Sequence, residues 1–232
     1  MPLATLPPPV DSPPSSGLGE QRLDLGGISW DRYTRIADAI PDHAGTKTIF
    51  LDGRLTLVTT SRRYGALSDA LSDLVKAVAV GTRVGFAVGG SATYRRIEQG
   101  AGVEGDQTFY FGENARRMRG NINIDLASQP PPDLAIEVEE TNPADLSIAA
   151  WGRLGVPEVW HIMVETWCLT FLARQQDGTY LPTAHSLGLP PLAPKDVTGQ
   201  LLISEEIDTS DWYEGLAAWV RDVLVPRQVG GA

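Results

Sequence analysis

The chain has 232 residues, 42% of them hydrophobic, with a formal net charge of −10; it can bury a core in one large domain or two small ones. That acidic balance argues against a surface that grips nucleic acid everywhere, while leaving room for a local basic groove. The single cysteine, Cys168, excludes an intramolecular disulfide, no apolar run reaches a membrane span, and the N-terminus lacks a secretion-signal layout, so a cytoplasmic protein without membrane contact is expected.

Residues 1–27 are rich in Pro, Ser and Gly and read as a disordered arm. From Ile28 the pattern changes. Ser29 is placed to cap a short helix through about Ile40, ended by Pro41. Thr46–Leu51 and Arg54–Thr60 read as strands of a hairpin turned by Asp52-Gly53. In RYGALSDALSDLVKAVAVG, apolar residues from Ala66 to Val78 recur at helical spacing and Gly81 stops the run. Asp69 and Asp73 fit its solvated face. Strands follow at Arg83–Val88, Ala92–Arg96 and Thr108–Phe111, then ENARRMRGNINIDLASQPP reads as loop with at most a helical turn. After a strand over Asp133–Glu140, Asn142-Pro143 is a helix start, and that helix runs to Leu154 before Gly155. EVWHIMV and TWCLTFLA read as two apolar strands joined near Glu165, with Cys168 as a small buried hydrophobe. Tyr180–Val197 reads as proline-rich loop, and Ser210-Asp211 caps a last helix through Leu224. One α/β domain over 28–225, followed by a short tail at 226–232, is the expected organisation.

The informative stretch is PPPDLAIEVEE, Pro130–Glu140. In an extended chain Leu134, Ile136 and Val138 share one face, and Ala135, Glu137 and Glu139 the other. Glu137 and Glu139 then project together, their Cα atoms roughly 6.5–7 Å apart. The pattern fits an antiparallel strand with a wet outer face. It also fits a strand within a sheet, where two carboxylates on one face need a cation, a proton or a partner. The apolar neighbours and the following helix and strand favour the second arrangement. Upstream, Asp106 stands at the start of a short apolar strand. An aspartate, then a strand with Glu-x-Glu, then a helix is the order in which carboxylates assemble around a hard divalent cation such as Mg²⁺ or Mn²⁺ in restriction-endonuclease-like folds.

Three stretches carry a family resemblance: GGSATYRR (Gly89–Arg96), GVEGDQTFYF (Gly102–Phe111), and PPPDLAIEVEETN continuing to WGRLGVPEVWHI (Trp151–Ile162). They resemble the Uma2 family of restriction endonucleases, within the PD-(D/E)XK nuclease superfamily, and the resemblance extends over roughly 28–225. It implies a mixed β-sheet flanked by helices, and a metal-dependent endonuclease cutting DNA with Mg²⁺ (or Mn²⁺). Asp106 and Glu137 match the metal carboxylates, the Val138 carbonyl completes part of the metal shell, and Glu139 occupies the third motif position. Asp106, Glu137 and Glu139 are thus the candidate catalytic residues. Converging acids without a cation predict that at least one titrates above about 4.

Two departures from the family pattern stand out. Gly105 replaces a proline before the first aspartate. More seriously, the superfamily's lysine is missing: the third position is Glu139, the helix position that matches a migrated lysine is Ser147, and no lysine lies between Lys76 and Lys195. Losing one such positioned group costs on the order of 10²–10³ in rate. Arg95, Arg96 and Arg153 are the candidate phosphate contacts, although Arg153 faces roughly 120° away from Ser147 around its helix.

Other chemistry is weak. His43, His161 and His185 lack ligand spacing, and His161 reads as a core histidine. VGGSA lacks the lysine of a phosphate-binding loop, and Asp52 fits a turn. Three functions therefore compete. The first is a metal-dependent endonuclease. The second is a catalytically degenerate nuclease fold, with Ser147 in place of lysine, that binds nucleic acid or protein. The third is a structural homodimer using Val159–Val164 and Trp167–Ala173.

Overall fold

A computed structural model describes residues 21–41, 45–59, 61–121, 124–139 and 144–229. His43, Thr60, Glu140, Asn142 and Pro143 lie outside the described residues. Two sheets form the frame. The first contains β1 (Gln21–Leu25), β2 (Thr46–Leu51), β3 (Arg54–Thr59), β5 (Thr93–Arg96) and β6 (Ala101–Glu104), in the order β1-β3-β2-β6-β5. Every pairing in it is antiparallel. The second contains β4 (Phe86–Val88), β7 (Gln107–Phe111), β8 (Leu134–Glu139), β9 (Glu158–Met163), β10 (Cys168–Arg174) and β11 (Tyr180–Thr183), in the order β11-β10-β9-β8-β7-β4. It is mixed, because β8 and β9 run parallel. Helices flank this mixed sheet, which is the expected restriction-endonuclease-like α/β arrangement, with the antiparallel sheet added.

Local chemistry accounts for the elements that place the site. Helix α1 (Trp30–Ala39) is capped by the Ser29 hydroxyl, which accepts from the Arg32 amide at 3.4 Å. Ser61 caps α2 (Arg62–Gly81) in the same way through the Tyr64 amide at 3.2 Å, satisfying donors that a helix start leaves open. The apolar stripe of α2, with Leu67, Leu71, Leu74, Val75 and Val78, is buried against Leu134, Ile136 and Val138 of β8. Both faces of β8 are covered, since Ala135 belongs to a second core with Ala150, Trp151 and Leu154 of α4 (Asp145–Leu154). That second core also takes Ile49, Tyr94 and Val103 from the first sheet, so α4 lies in the seam where the two sheets meet. Gly155 ends α4 with φ of +87°, a left-handed conformation that glycine adopts without a Cβ penalty.

Several expectations change. Gln21–Leu25, expected within the arm, pair with β3 across the full length of β1. The stretch after β7 is a helix, α3 (Gly112–Met118). The region expected as loop from Tyr180 holds β11 and begins α5 (Pro194–Glu206). Asp208, rather than Ser210, caps α6 (Thr209–Trp219), accepting from the Ser210 amide. The chain then continues through a π turn into α7 (Val225–Val229), beyond the expected domain end. Cys168 is exposed, not buried, because it starts β10 on the outward-facing register. β10 is paired with β11 over Phe171–Arg174.

Candidate active site

Alternation along the strands decides what reaches the seam. Asp106 sits in the turn between β6 and β7, and its amide donates to the Ile136 carbonyl of β8 at 3.2 Å. One carboxylate oxygen, Oδ2, accepts from the Val138 amide at 2.7 Å. On β8, Glu137 points to the same seam, and its Oε1 accepts from the Trp151 indole N–H at 2.6 Å. Both acids are buried, Asp106 at 4% and Glu137 at 3% exposure. Each therefore has one oxygen fixed by a neutral donor and one left over.

The leftover oxygens face the same cation. Lys47, from β2 of the other sheet, pairs its ammonium with Asp106 Oδ1 and lies 3.7 Å from Glu137 Oε2. It also donates to the Tyr64 hydroxyl at 2.6 Å. The seam thus holds two carboxylates and one ammonium, a net negative cluster in a low-dielectric place. Such a cluster holds protons tightly. Burial pushes the Asp106 carboxyl up to about 7, Lys47 opposing and Glu137 adding to it. Burial alone would make Lys47 easier to deprotonate, but Asp106 and Glu137 more than reverse that and raise its pKa above the ordinary lysine value. The expected acid titrating above its usual range is Asp106.

The cluster opens on a cleft of about 650 Å³ whose walls include Lys47, Tyr64, Ser68, Glu104 and Asp106. Ser91 and Glu104 also line a neighbouring cavity of about 680 Å³ that contains Arg95. Ser91 of the GGSATYRR stretch is therefore common to both, and the stretch is held to β7 where the Gly89 amide donates to the Thr108 carbonyl at 2.8 Å.

Glu139 stands on the same face as Glu137, but its Oε2 is taken by His161 Nε2 at 2.7 Å and the Ala144 amide at 3.1 Å. It ties the start of α4 to β9, and His161 is half-buried as its partner. Val138 meets Asp106 through its amide. Arg95 pairs with Asp38 at 2.8 Å, leaving its buried Nη1 without a partner among the described residues. Arg153 pairs with Asp52 at 2.9 Å and lines a different cleft, with Gln99 and Tyr180. Arg96 lies within electrostatic reach of Asp125. The buried Ser147 donates its hydroxyl to the Ala144 carbonyl at 2.9 Å. No three His, Cys, Asp or Glu side chains gather as a metal cage among the described residues.

Lys47 is the residue that linear spacing misses, because it precedes Asp106 by most of the first sheet. One signal was available. Lys47 alternates with Ile49 and Leu51, so a charge stands on the strand face that carries apolar residues, and a charge there requires a buried partner.

Residues 30–204 match the family described as "Putative restriction endonuclease", Uma2. The chain belongs to the Uma2 family. No curated protein matches this sequence. The match spans β2, which carries Lys47, as well as Asp106, β8 and α4, so all the seam residues of this Uma2 chain lie within the family's domain. Among the described residues no helix is long and apolar enough to cross a membrane.

Proposed function

We propose that this Uma2 protein is a divalent-metal-dependent endonuclease that hydrolyses DNA phosphodiester bonds. The observation that carries the reading is the convergence of Asp106 Oδ1 and Glu137 Oε2 on one cation. Two hard carboxylate oxygens on a shared point, in a net negative site, suit Mg²⁺ or Mn²⁺, which take one or two protein carboxylates and fill the remaining positions with water and phosphate oxygen. Asp106 and Glu137 would hold the ion, with the Val138 carbonyl as a further oxygen. Bound there, the ion lowers the pKa of a coordinated water and neutralises charge on the phosphate.

The chain's own residues do the rest. The Trp151 indole and the Val138 amide fix one oxygen of each acid, so the other two are held in register before any ligand arrives. Glu139 serves the reaction at one remove by anchoring the start of α4, the helix that carries Trp151. Arg95, in the adjoining cavity, offers a guanidinium to a flanking phosphate. With a net charge of −10, such local cations must overcome the repulsion of DNA by the rest of the surface.

The reading of a degenerate nuclease fold rests on Ser147 in place of lysine and on the net charge of −10; the Lys47 ammonium on the acids weighs against the first of these grounds. The test is nicking of supercoiled plasmid in Mg²⁺ or Mn²⁺ by the natural protein and by Glu137→Ala. A loss of at least 100-fold on substitution is expected; equal nicking by both proteins removes Glu137 from the reaction.

A further inference from the structure

We infer that Lys47 and the divalent cation compete for the same two oxygens, so that metal binding moves the Lys47 ammonium off Asp106 and Glu137 and turns it toward the cleft. This rests on the metal-dependent reading above and deepens it. Lys47 Nζ is paired with Asp106 Oδ1 and is 3.7 Å from Glu137 Oε2, and the second oxygen of each acid is already bonded to Val138 or Trp151. Those two oxygens, the ones turned to Lys47, are the ones an ion entering between the two acids would take. Both cations cannot keep them, because like charges at such separation in a buried place repel strongly.

The displaced ammonium has a second anchorage. The Tyr64 hydroxyl accepts from Nζ at 2.6 Å, and Nζ lies 5.3 Å from the centroid of the Tyr64 ring. Tyr64 lines the open cleft with Ser68 and Gln107. Held there, a lysine on a flexible stem stands beside the ion and faces the phosphate and the attacking water, where negative charge grows during hydrolysis. In the metal-free state the same ammonium stands in for the ion and keeps two buried carboxylates from facing each other unpaired. One lysine from the other sheet thus occupies the role for which the position of Ser147 lacks a side chain.

The competition gives metal affinity and turnover opposite signs in a single variant. Lys47→Met keeps the length of the side chain and removes its charge. Mn²⁺ titration followed by electron paramagnetic resonance is expected to show at least threefold tighter binding than in the natural protein, and plasmid nicking in saturating Mn²⁺ should fall 10²–10³-fold. Weaker or equal Mn²⁺ binding by Lys47→Met overturns the competition, and undiminished nicking overturns the catalytic role. Lys47→Met leaves two acids uncompensated, so it is prepared with Mn²⁺ present. Should it fail to fold, Lys47→Arg keeps the charge in a bulkier group and is expected to bind Mn²⁺ at least threefold more weakly; unchanged affinity there overturns the competition. Tighter Mn²⁺ binding by Lys47→Met with no nicking by either protein upholds the competition and overturns the nuclease reading instead.

Discussion

Two buried acidic regions of this protein look alike in composition and differ in what they leave open. Glu158, the glutamate of GVPEVW, is fully buried at the start of β9. It accepts from the Trp160 indole at 2.7 Å, the Ser186 hydroxyl at 3.1 Å, and the Leu187 and Gly188 amides at 2.9 and 3.1 Å. Its ligands are neutral, they come from one loop and one neighbour, and they use both oxygens. At the seam, Asp106 and Glu137 each have one oxygen bound by a neutral donor, and the others turn to the shared Lys47 ammonium beside a cleft. A buried carboxylate saturated by donors organises a fold, whereas two half-saturated ones converging on a point make a cation site.

The sharpest way to break this contrast is Glu158→Ala. It strands four donors around a void, so unfolding free energy should drop by about 3–5 kcal/mol in a denaturant titration, while Mn²⁺ affinity of the folded protein stays as it was. A loss of Mn²⁺ binding without a loss of stability would exchange the roles assigned to the two regions.

A smaller effect is expected at Gly105, which joins the seam to its support. A Cβ there would meet Trp151 Cζ2 at 2.7 Å, and Trp151 is the residue that holds Glu137. Gly105→Ala should cost about 1–3 kcal/mol through overpacking and should also weaken Mn²⁺ binding, since Trp151 must shift and Glu137 with it. If calorimetry shows the stability loss with unaltered Mn²⁺ affinity, the Trp151 hydrogen bond does not position Glu137.

These residues also show how far the sequence could be read. The acids were legible because strand alternation and the helix after β8 are local patterns, and the family stretches coincide with the seam. What Gly105 does was not, since its neighbour Trp151 comes from a helix far along the chain. Lys47 is hidden in the sequence for the same reason: the family's motif spacing runs through β8 and α4, whereas the ammonium crosses from another sheet. Alternation sets Glu139 beside Glu137 and the resemblance puts it at the third motif position, but neither gives its partners, His161 and Ala144, which need the parallel pairing of β8 with β9. Irregular segments misled most. The prolines of Tyr180–Val197 suggest loop, yet Pro182 is tolerated in β11 at the end of the sheet, and Pro194 starts α5, where its missing N–H costs nothing.

The smallest expected effect separates the two regions by pH. Burial raises the pKa of Glu158 above its ordinary 4.5, and the bonds from Trp160, Gly188, Ser186 and Leu187 only partly oppose it. A carboxyl whose folded pKa is raised contributes stability that is whole below the unfolded pKa and is lost as pH rises through the folded value. The stability difference between the natural protein and Glu158→Gln, which cannot ionise, should therefore shrink as pH climbs from about 4.5. Both oxygens of Glu158 are already occupied by donors, so no cation can relieve it. The pH trend should then be the same in EDTA and in Mn²⁺, measured as denaturation midpoints across the range. A trend that Mn²⁺ abolishes would mean that the ion reaches Glu158, and that the closed region is not closed.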